Sequence, residues 1–480
     1  MISRRNRVAA LCGIVSIVAA CTAPQDQTQR DQSGETITGR HGAAGIGDDY
    51  YPEAGNGGYD VENYAVTVRY DAESGHLTGD TTVTARAEHD LSRFNLDLRG
   101  FTVSSVEVNG EAAEFKRTGD AELVITPAEP VREGDVLETR VRYEGKPLPG
   151  ERGQLGGNGW YRTASGGAFV LGEPESASYW FPVNEHPRDK ATFTLTASVP
   201  EGWTAVSIGT SDEPVTQDGW TTTTWTETNP IPSYLTLFAV DKFTVETGQL
   251  PDGTPVRNVF APGAEEARQD AEYTEEVIAF LESRFGDYPA NTAGGIYLDT
   301  PTGFALETQG TPTYPPDTTV DLLVHELAHQ WYGNSVSIQS WADICLSECF
   351  ASYAAWLWSE EKDGTDLNAN YRNQIELWRD DAAYWSRPLY DMGAGNEFDA
   401  VYSKGPLAVH ALRLRIGDEA FDRLLREWPA EYANGNASWE QFEEFTERIA
   451  GEELDAFFED WFRGTELPAK EHLHPDLYSR

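Results

Sequence analysis

The stretch His325 to Phe350, HELAHQWYGNSVSIQSWADICLSECF, constrains this chain more than any other. His325 and His329 stand four apart in an apolar run free of glycine and proline, so on a helix both imidazoles leave one face about a turn apart and can share one metal ion. Glu326 then sits beside that ion, where a base is needed. A borderline-soft ion such as zinc wants a third protein ligand and an open fourth position for water, and Glu348, with eighteen residues between it and His329, is the candidate.

HELAHQWYGN followed by WADICLSECFASY resembles the zinc signature of the aminopeptidase N family of gluzincin zinc metallopeptidases, in which HELAHQWFGN precedes WxDxWLNEGFA. Gly333, Asn334, Trp341, Asp343, Leu346, Glu348, Phe350 and Ala351 fall in register, whereas Cys345, Ser347 and Cys349 depart from it at positions that ligate nothing. The resemblance implies one zinc ion on His325, His329 and Glu348, with Glu326 as the catalytic base. Three further residues follow from it. Glu173, placed by its distance from Ala177 and Phe181, and Glu307, in the altered FALET stretch, are similar to the two carboxylates that bind the substrate's α-amine. Tyr402, ahead of Lys404-Gly405, matches the tyrosine that donates to the oxyanion. Leu171, Phe304 and Thr308 replace a Gln, a Gly and an Asn of the family pattern, which puts side-chain preference in question more than the reaction.

The expected fold is α+β and multidomain. Tyr64–Tyr70, Thr81–Arg86, Thr192–Val199 and Thr221–Thr226 alternate with period two and are rich in β-branched residues, which predicts an all-β sandwich over 59–248. After Pro262 the pattern turns helical, first over Ala264–Phe285 and then from Val320 onward, with Gly295–Leu298 strand-like. The resemblance implies a thermolysin-like catalytic domain over 249–468; the twelve residues of the tail, 469–480, leave no room in this sequence for the helical-repeat domain of larger members, so none is expected.

At the start, Arg4, Arg5 and Arg7 precede thirteen apolar or small residues, Val8 to Ala20, the layout of a secretory signal. Val18-Ala19-Ala20-Cys21 resembles a bacterial lipobox, which implies a signal peptide over 1–20 and lipidation of Cys21. The expected location is therefore the outer face of a bacterial cell membrane, extracellular or periplasmic, reached by either general secretion or twin-arginine export. Residues 21–58, polar and poor in anything to bury, read as a flexible tether.

With 79 acidic against 36 basic residues the formal net charge is −43, which repels nucleic acid and anionic lipid and favours cationic ligands. The expected partners are peptides with a free N-terminus, with membrane contact only through the lipid and the chain a monomer. Cys345 and Cys349 lie one helical turn apart, with Cβ atoms about 5 to 6 Å apart where a relaxed disulfide needs about 3.8 Å. That spacing favours two buried unbonded side chains over a strained bridge. The functional expectation is a zinc aminopeptidase acting through metal-activated water. A zinc endopeptidase with a degraded amine site, or a non-catalytic surface binding module, are the alternatives.

Overall fold

The computed structural model describes residues 27–30, 36–152 and 155–473. The signal and lipobox expectations fall on 1–26 and lie outside them. Among the described residues no helix is long and apolar enough to cross a membrane.

The first lobe is built on strands β1 (Tyr59–Asp71), β2 (His76–Ala87), β3 (Leu91–Asp97), β4 (Thr102–Val108), β5 (Glu122–Thr126), β6 (Val136–Gly145), β7 (Ala168–Leu171), β8 (Lys190–Pro200) and β9 (Trp220–Pro232). Its largest sheet runs β9-β8-β1-β2-β6-β4 through the centre, with only β8 and β1 parallel. Along β8 buried and half-buried residues alternate without a break, so Ala191, Phe193, Leu195, Ala197 and Val199 all face the core. A second sheet pairs β3 with β5, and β7 belongs to a third. All four strands expected from alternation are present.

The second lobe opens on β10 (Pro255–Phe260), then α1 (Thr274–Phe285), β11 (Ala293–Tyr297) and β12 (Thr313–Tyr314), where β10, β11 and β12 pair in parallel. Helices α2 (Val320–Ala328), α3 (Cys345–Asp363) and α4 (Lys404–Ile416) follow. The helix expected over Ala264–Phe285 is interrupted. A 3-10 turn at Glu265–Ala267 and one helical turn at Arg268–Ala271 precede α1, and the Thr274 hydroxyl takes the Ala271 carbonyl that a continuous helix would use. Val259, Ile296, Leu298 and Leu306 of this lobe pack into the core of the first, so the sheet beside the cleft is shared property of both.

Two expectations need correcting. The tether reading fails for residues 39–58, which form a strap across both lobes. Asp48 accepts from Trp341 N (2.9 Å) and Tyr50 N (2.8 Å) and pairs with the His186 ring (3.1 Å), both side chains fully buried. Arg188 grips Ile46 O and Gln339 O at 3.0 and 2.9 Å, and the Tyr50 hydroxyl bonds Asp391 at 3.0 Å. The strap buries little apolar surface; polar bonds to distant residues hold it, and composition cannot register those.

Cys345 and Cys349 are joined by a disulfide. Their Cα atoms stand 4.8 Å apart, less than the ~6 Å that four residues rise along a regular α-helix. Cys345 opens α3 directly after a 3-10 turn at Trp341–Asp343, and both Ser347 N and Glu348 N donate to Ile344 O, so the first turn is tighter than the regular spacing assumed from sequence.

Candidate active site

Helix α2 begins at Thr319, whose hydroxyl accepts from Leu322 N at 3.3 Å. Leu323, Val324, Leu327 and Ala328 face the core, which turns His325 toward the cleft, with His329 at the helix C-terminus. Helix α3 packs alongside and delivers Glu348 from its first turn. His325 Nε2 and His329 Nε2 lie 3.0 Å apart, and Glu348 Oε2 lies 3.2 and 3.5 Å from them. Ligands about 2.0 to 2.1 Å from a tetrahedral ion stand roughly 3.3 to 3.4 Å apart, so this triad fits zinc.

Two further observations support that fit. Glu348 Oε2 is buried and finds no hydrogen-bond donor besides the two imidazole nitrogens that face it. Burial disfavours a charged His329, yet Glu348, Glu307 and Glu326 push its pKa up to about 10, so the carboxylates call for positive charge where the two Nε2 atoms meet. His329 Nδ1 faces Tyr332 O at 3.0 Å and Ser347 Oγ at 2.9 Å; donating to the carbonyl places the proton on Nδ1 and leaves the Nε2 lone pair free for a metal. Ser347, noted in the sequence only as a departure, is thus the residue that steadies this ligand.

Glu326, buried, shares the cavity, and burial first and the neighbouring carboxylates second raise its pKa well above the usual range. The cavity, of about 660 Å³, is lined also by Glu173, Phe304, Glu307, Ser352, Trp356 and Tyr402. Tyr402, 42% exposed, also lines the cleft; burial first, and then Glu348, Glu173, Glu326 and Glu307, raise its phenol well above the usual range and keep it protonated. Its ring centroid lies 5.9 Å from that of His325.

Glu173, carried into the cleft by the first lobe, and Glu307, from the segment before β12, are 2% and 3% exposed. Burial raises the pKa of both, and Glu307 adds to the effect on Glu173. Among the described residues neither pairs with a lysine or arginine. Glu307 Oε1 accepts from the Tyr234 hydroxyl at 2.7 Å, and its carbonyl accepts from Asn334 Nδ2 at 2.8 Å and Gln330 Nε2 at 3.2 Å. Sequence reading missed Tyr234 and Gln330; Gln330 follows the second histidine directly, but Tyr234 lies in the other lobe and carries no local signal. Of the substituted positions, Phe304 lines the cleft with its ring against Gly156, whereas Leu171 lies in the β core. Thr308 is turned to Thr311 O and Thr313 Oγ1 at 2.6 and 3.0 Å.

Residues 60–235 match the peptidase M1 N-terminal domain, and residues 273–461 match the peptidase family M1 domain. The structure of an M1 zinc metallopeptidase from Deinococcus radiodurans superposes with a TM-score of 0.79 at 32% identity, covering 88% of this chain and 98% of that one. A mutant of that peptidase, solved bound to a Tyr-ser-ala substrate, superposes equally well, at 0.79 and 32% identity over 88% of this chain and 99% of that one. Among curated proteins, glutamyl aminopeptidase from Sus scrofa is 29% identical over 323 residues, 59% of this chain and 34% of that protein. Aminopeptidase A from Gloydius brevicauda is 24% identical over 546 aligned residues, 99% of this chain and 56% of that one. The chain thus spans between 34% and 56% of the length of these two curated relatives.

Proposed function

This chain belongs to peptidase family M1, and from that premise we propose that it is a zinc-dependent aminopeptidase removing the N-terminal residue from peptides. One observation carries the reading beyond a generic metallopeptidase: two buried carboxylates, Glu173 and Glu307, share a cavity with the metal triad and, among the described residues, pair with no lysine or arginine. Buried carboxylates without a counter-charge are costly, and a substrate ammonium supplies that charge. Holding the ammonium there sets the register, so that the first peptide bond is the one presented to the base.

His325, His329 and Glu348 hold one zinc ion, which when bound supplies a Lewis acid for the carbonyl and lowers the pKa of a water. Glu326 takes the proton of the attacking water and returns it to the leaving amine. The Tyr402 hydroxyl donates to the oxyanion as it forms. Tyr234 orients Glu307 through its hydroxyl, and Gln330 and Asn334 fix the Glu307 backbone.

The test compares a free aminoacyl anilide with its N-acetylated form, with and without chelator. Turnover restricted to the free amine and abolished by chelation is expected. Preference for the acetylated compound would return the endopeptidase reading, and no chelator-sensitive turnover with zinc bound would return the binding module. We also propose that the chain is exported, lipidated at Cys21 and monomeric, acting at the outer face of a bacterial membrane on peptides that reach it. Mass spectrometry of the mature N-terminus, with Cys21→Ser as control, checks the lipid, and sedimentation of the Cys21→Ser protein checks the monomer.

A further inference from the structure

Away from the cleft, three buried carboxylates of the first lobe and the strap have their oxygens engaged. Glu185 accepts from Ser176 N at 2.7 Å, Ala177 N at 2.5 Å and Ser178 N at 2.9 Å, Asp189 from Val61 N at 3.1 Å and from Asn184 Nδ2, and Asp48 from the bonds already described. Asp97 and Glu122 are different. They face each other directly across the antiparallel pair β3–β5, so their side chains leave the same face side by side, a like-charge placement that destabilises a sheet. Asp97, 3% exposed, uses Oδ2 to accept from Asn56 Nδ2 at 3.2 Å and Glu185 N at 3.0 Å, and leaves Oδ1 without a partner. Both carboxylate oxygens of Glu122 are buried without a hydrogen bond. Asn56 of the strap is fully buried; its bond to Asp97 turns the carboxamide toward the pair, and its Oδ1 is also unpartnered.

Burial and then Glu122 push the Asp97 carboxyl well above its usual range, and burial followed by Glu53 pushes Glu122 up to about 7, the Asn95 side chain, which can donate to it, offsetting this in part. Arg93, on the same face of β3, forms no ion pair with either carboxylate among the described residues, and its own Nε is buried without a hydrogen-bond partner. Four buried unpartnered oxygens, one of Asp97, two of Glu122 and one of Asn56, thus belong to three residues joined by the β3–β5 register and by the Asn56–Asp97 bond, and none of the three forms an ion pair among the described residues.

We propose that Asp97, Glu122 and Asn56 form a calcium-class cation site that pins the strap to the β3–β5 sheet. The donor set is all oxygen, which suits a hard cation and not zinc. Among the described residues the only group of three His, Cys, Asp or Glu ligands close enough for one ion is the triad of the cleft, so this second site has two carboxylates and an amide, with water completing the six to eight positions calcium takes. An overall charge of −43 draws cations to the surface in general, but among the described residues this facing pair leaves three carboxylate oxygens, Asp97 Oδ1 and both of Glu122, buried without a hydrogen bond.

The test uses the full chain, zinc-loaded and freed of calcium by exchange into calcium-free buffer, with zinc content followed throughout. Added CaCl2 should raise the thermal midpoint of the wild type by roughly 2 to 4 °C at ten times Kd and slow proteolytic cleavage within 39–58, with MgCl2 less effective. Metal analysis should find one calcium per chain. Glu122→Gln, which keeps the shape and removes the repulsion, should be at least as stable as the calcium-free wild type, bind no calcium and gain nothing from it. Asn56→Asp, adding a third carboxylate, should bind calcium more tightly. The proposal is overturned if the wild type shows no response up to about 10 mM calcium, above the range of weak extracellular sites. Equal responses of wild type and Glu122→Gln would overturn it as well. So would a wild-type midpoint that falls as pH rises through about 7 whether or not calcium is present, because a proton shared by the two carboxylates would then be the whole answer. Peptidase activity plays no part in these readings, so the aminopeptidase proposal stands or falls separately.

Discussion

The two halves of the active site are assembled by different means. The metal half takes His325, Glu326 and His329 from α2 and Glu348 from the next helix, and its geometry follows from helix spacing and one helix–helix contact. The amine half takes Glu173 and Tyr234 from the first lobe and Glu307 from the second, so it exists only where the lobes meet. A defect in lobe docking should therefore reach substrate binding before it reaches zinc, and each half can be damaged with the other left whole.

The sharpest separation lies within the metal half itself. Glu326→Ala should lower kcat by about 10² to 10⁴-fold, with zinc content and KM nearly unchanged, because it removes a base and not a ligand. Loss of zinc along with activity would show that Glu326 helps hold the ion. On the amine side, Glu307→Ala should cost about 2 to 4 kcal/mol in kcat/KM for free-amine substrates and leave zinc in place. Wild-type activity in that variant would move the amine site elsewhere and dissolve the comparison. Tyr234→Phe deletes one hydrogen bond to a carboxylate and should cost about 1.5 to 3 kcal/mol in the same quantity, felt more in KM than in kcat. Finest of all, Ser347→Ala should weaken zinc affinity by about 10- to 100-fold, read by competition with a chelator, while KM at saturating zinc stays at the wild-type value. A change in KM there would mean that the two halves communicate.

The same division decides what the sequence could reveal. His325, Glu326 and His329 are legible because four residues make one helical turn, and Glu348 because a second helix follows within a short, motif-dense stretch. The strands of the first lobe are legible through alternation, as β8 illustrates residue by residue. Glu307 was found through its resemblance to a family pattern, although both flanking positions differ, and the structure places Thr308 away from the cleft. Tyr234, the strap and the Asp97–Glu122 pair were not legible. Each depends on partners far along the chain, and polar residues in such contacts look the same in sequence as polar residues facing water. The disulfide was misjudged for a local reason. Regular helix spacing was assumed at a turn that a preceding 3-10 segment tightens.

The strap also sets an order in time. Asp48 precedes its partner His186 by 138 residues and Trp341, whose N–H it accepts, by 293. At roughly 5 to 20 residues per second, a ribosome needs about 15 to 60 s to make the second partner after the first residue has emerged. During that interval the nascent first lobe has its sheets available but lacks the backbone that caps Asp48, and the metal triad is complete only after it, with Glu348. Competence for catalysis is therefore a late event in the biogenesis of this chain, and a stall in translation before His325 releases a β lobe that carries Glu173 but no base and no metal ligand.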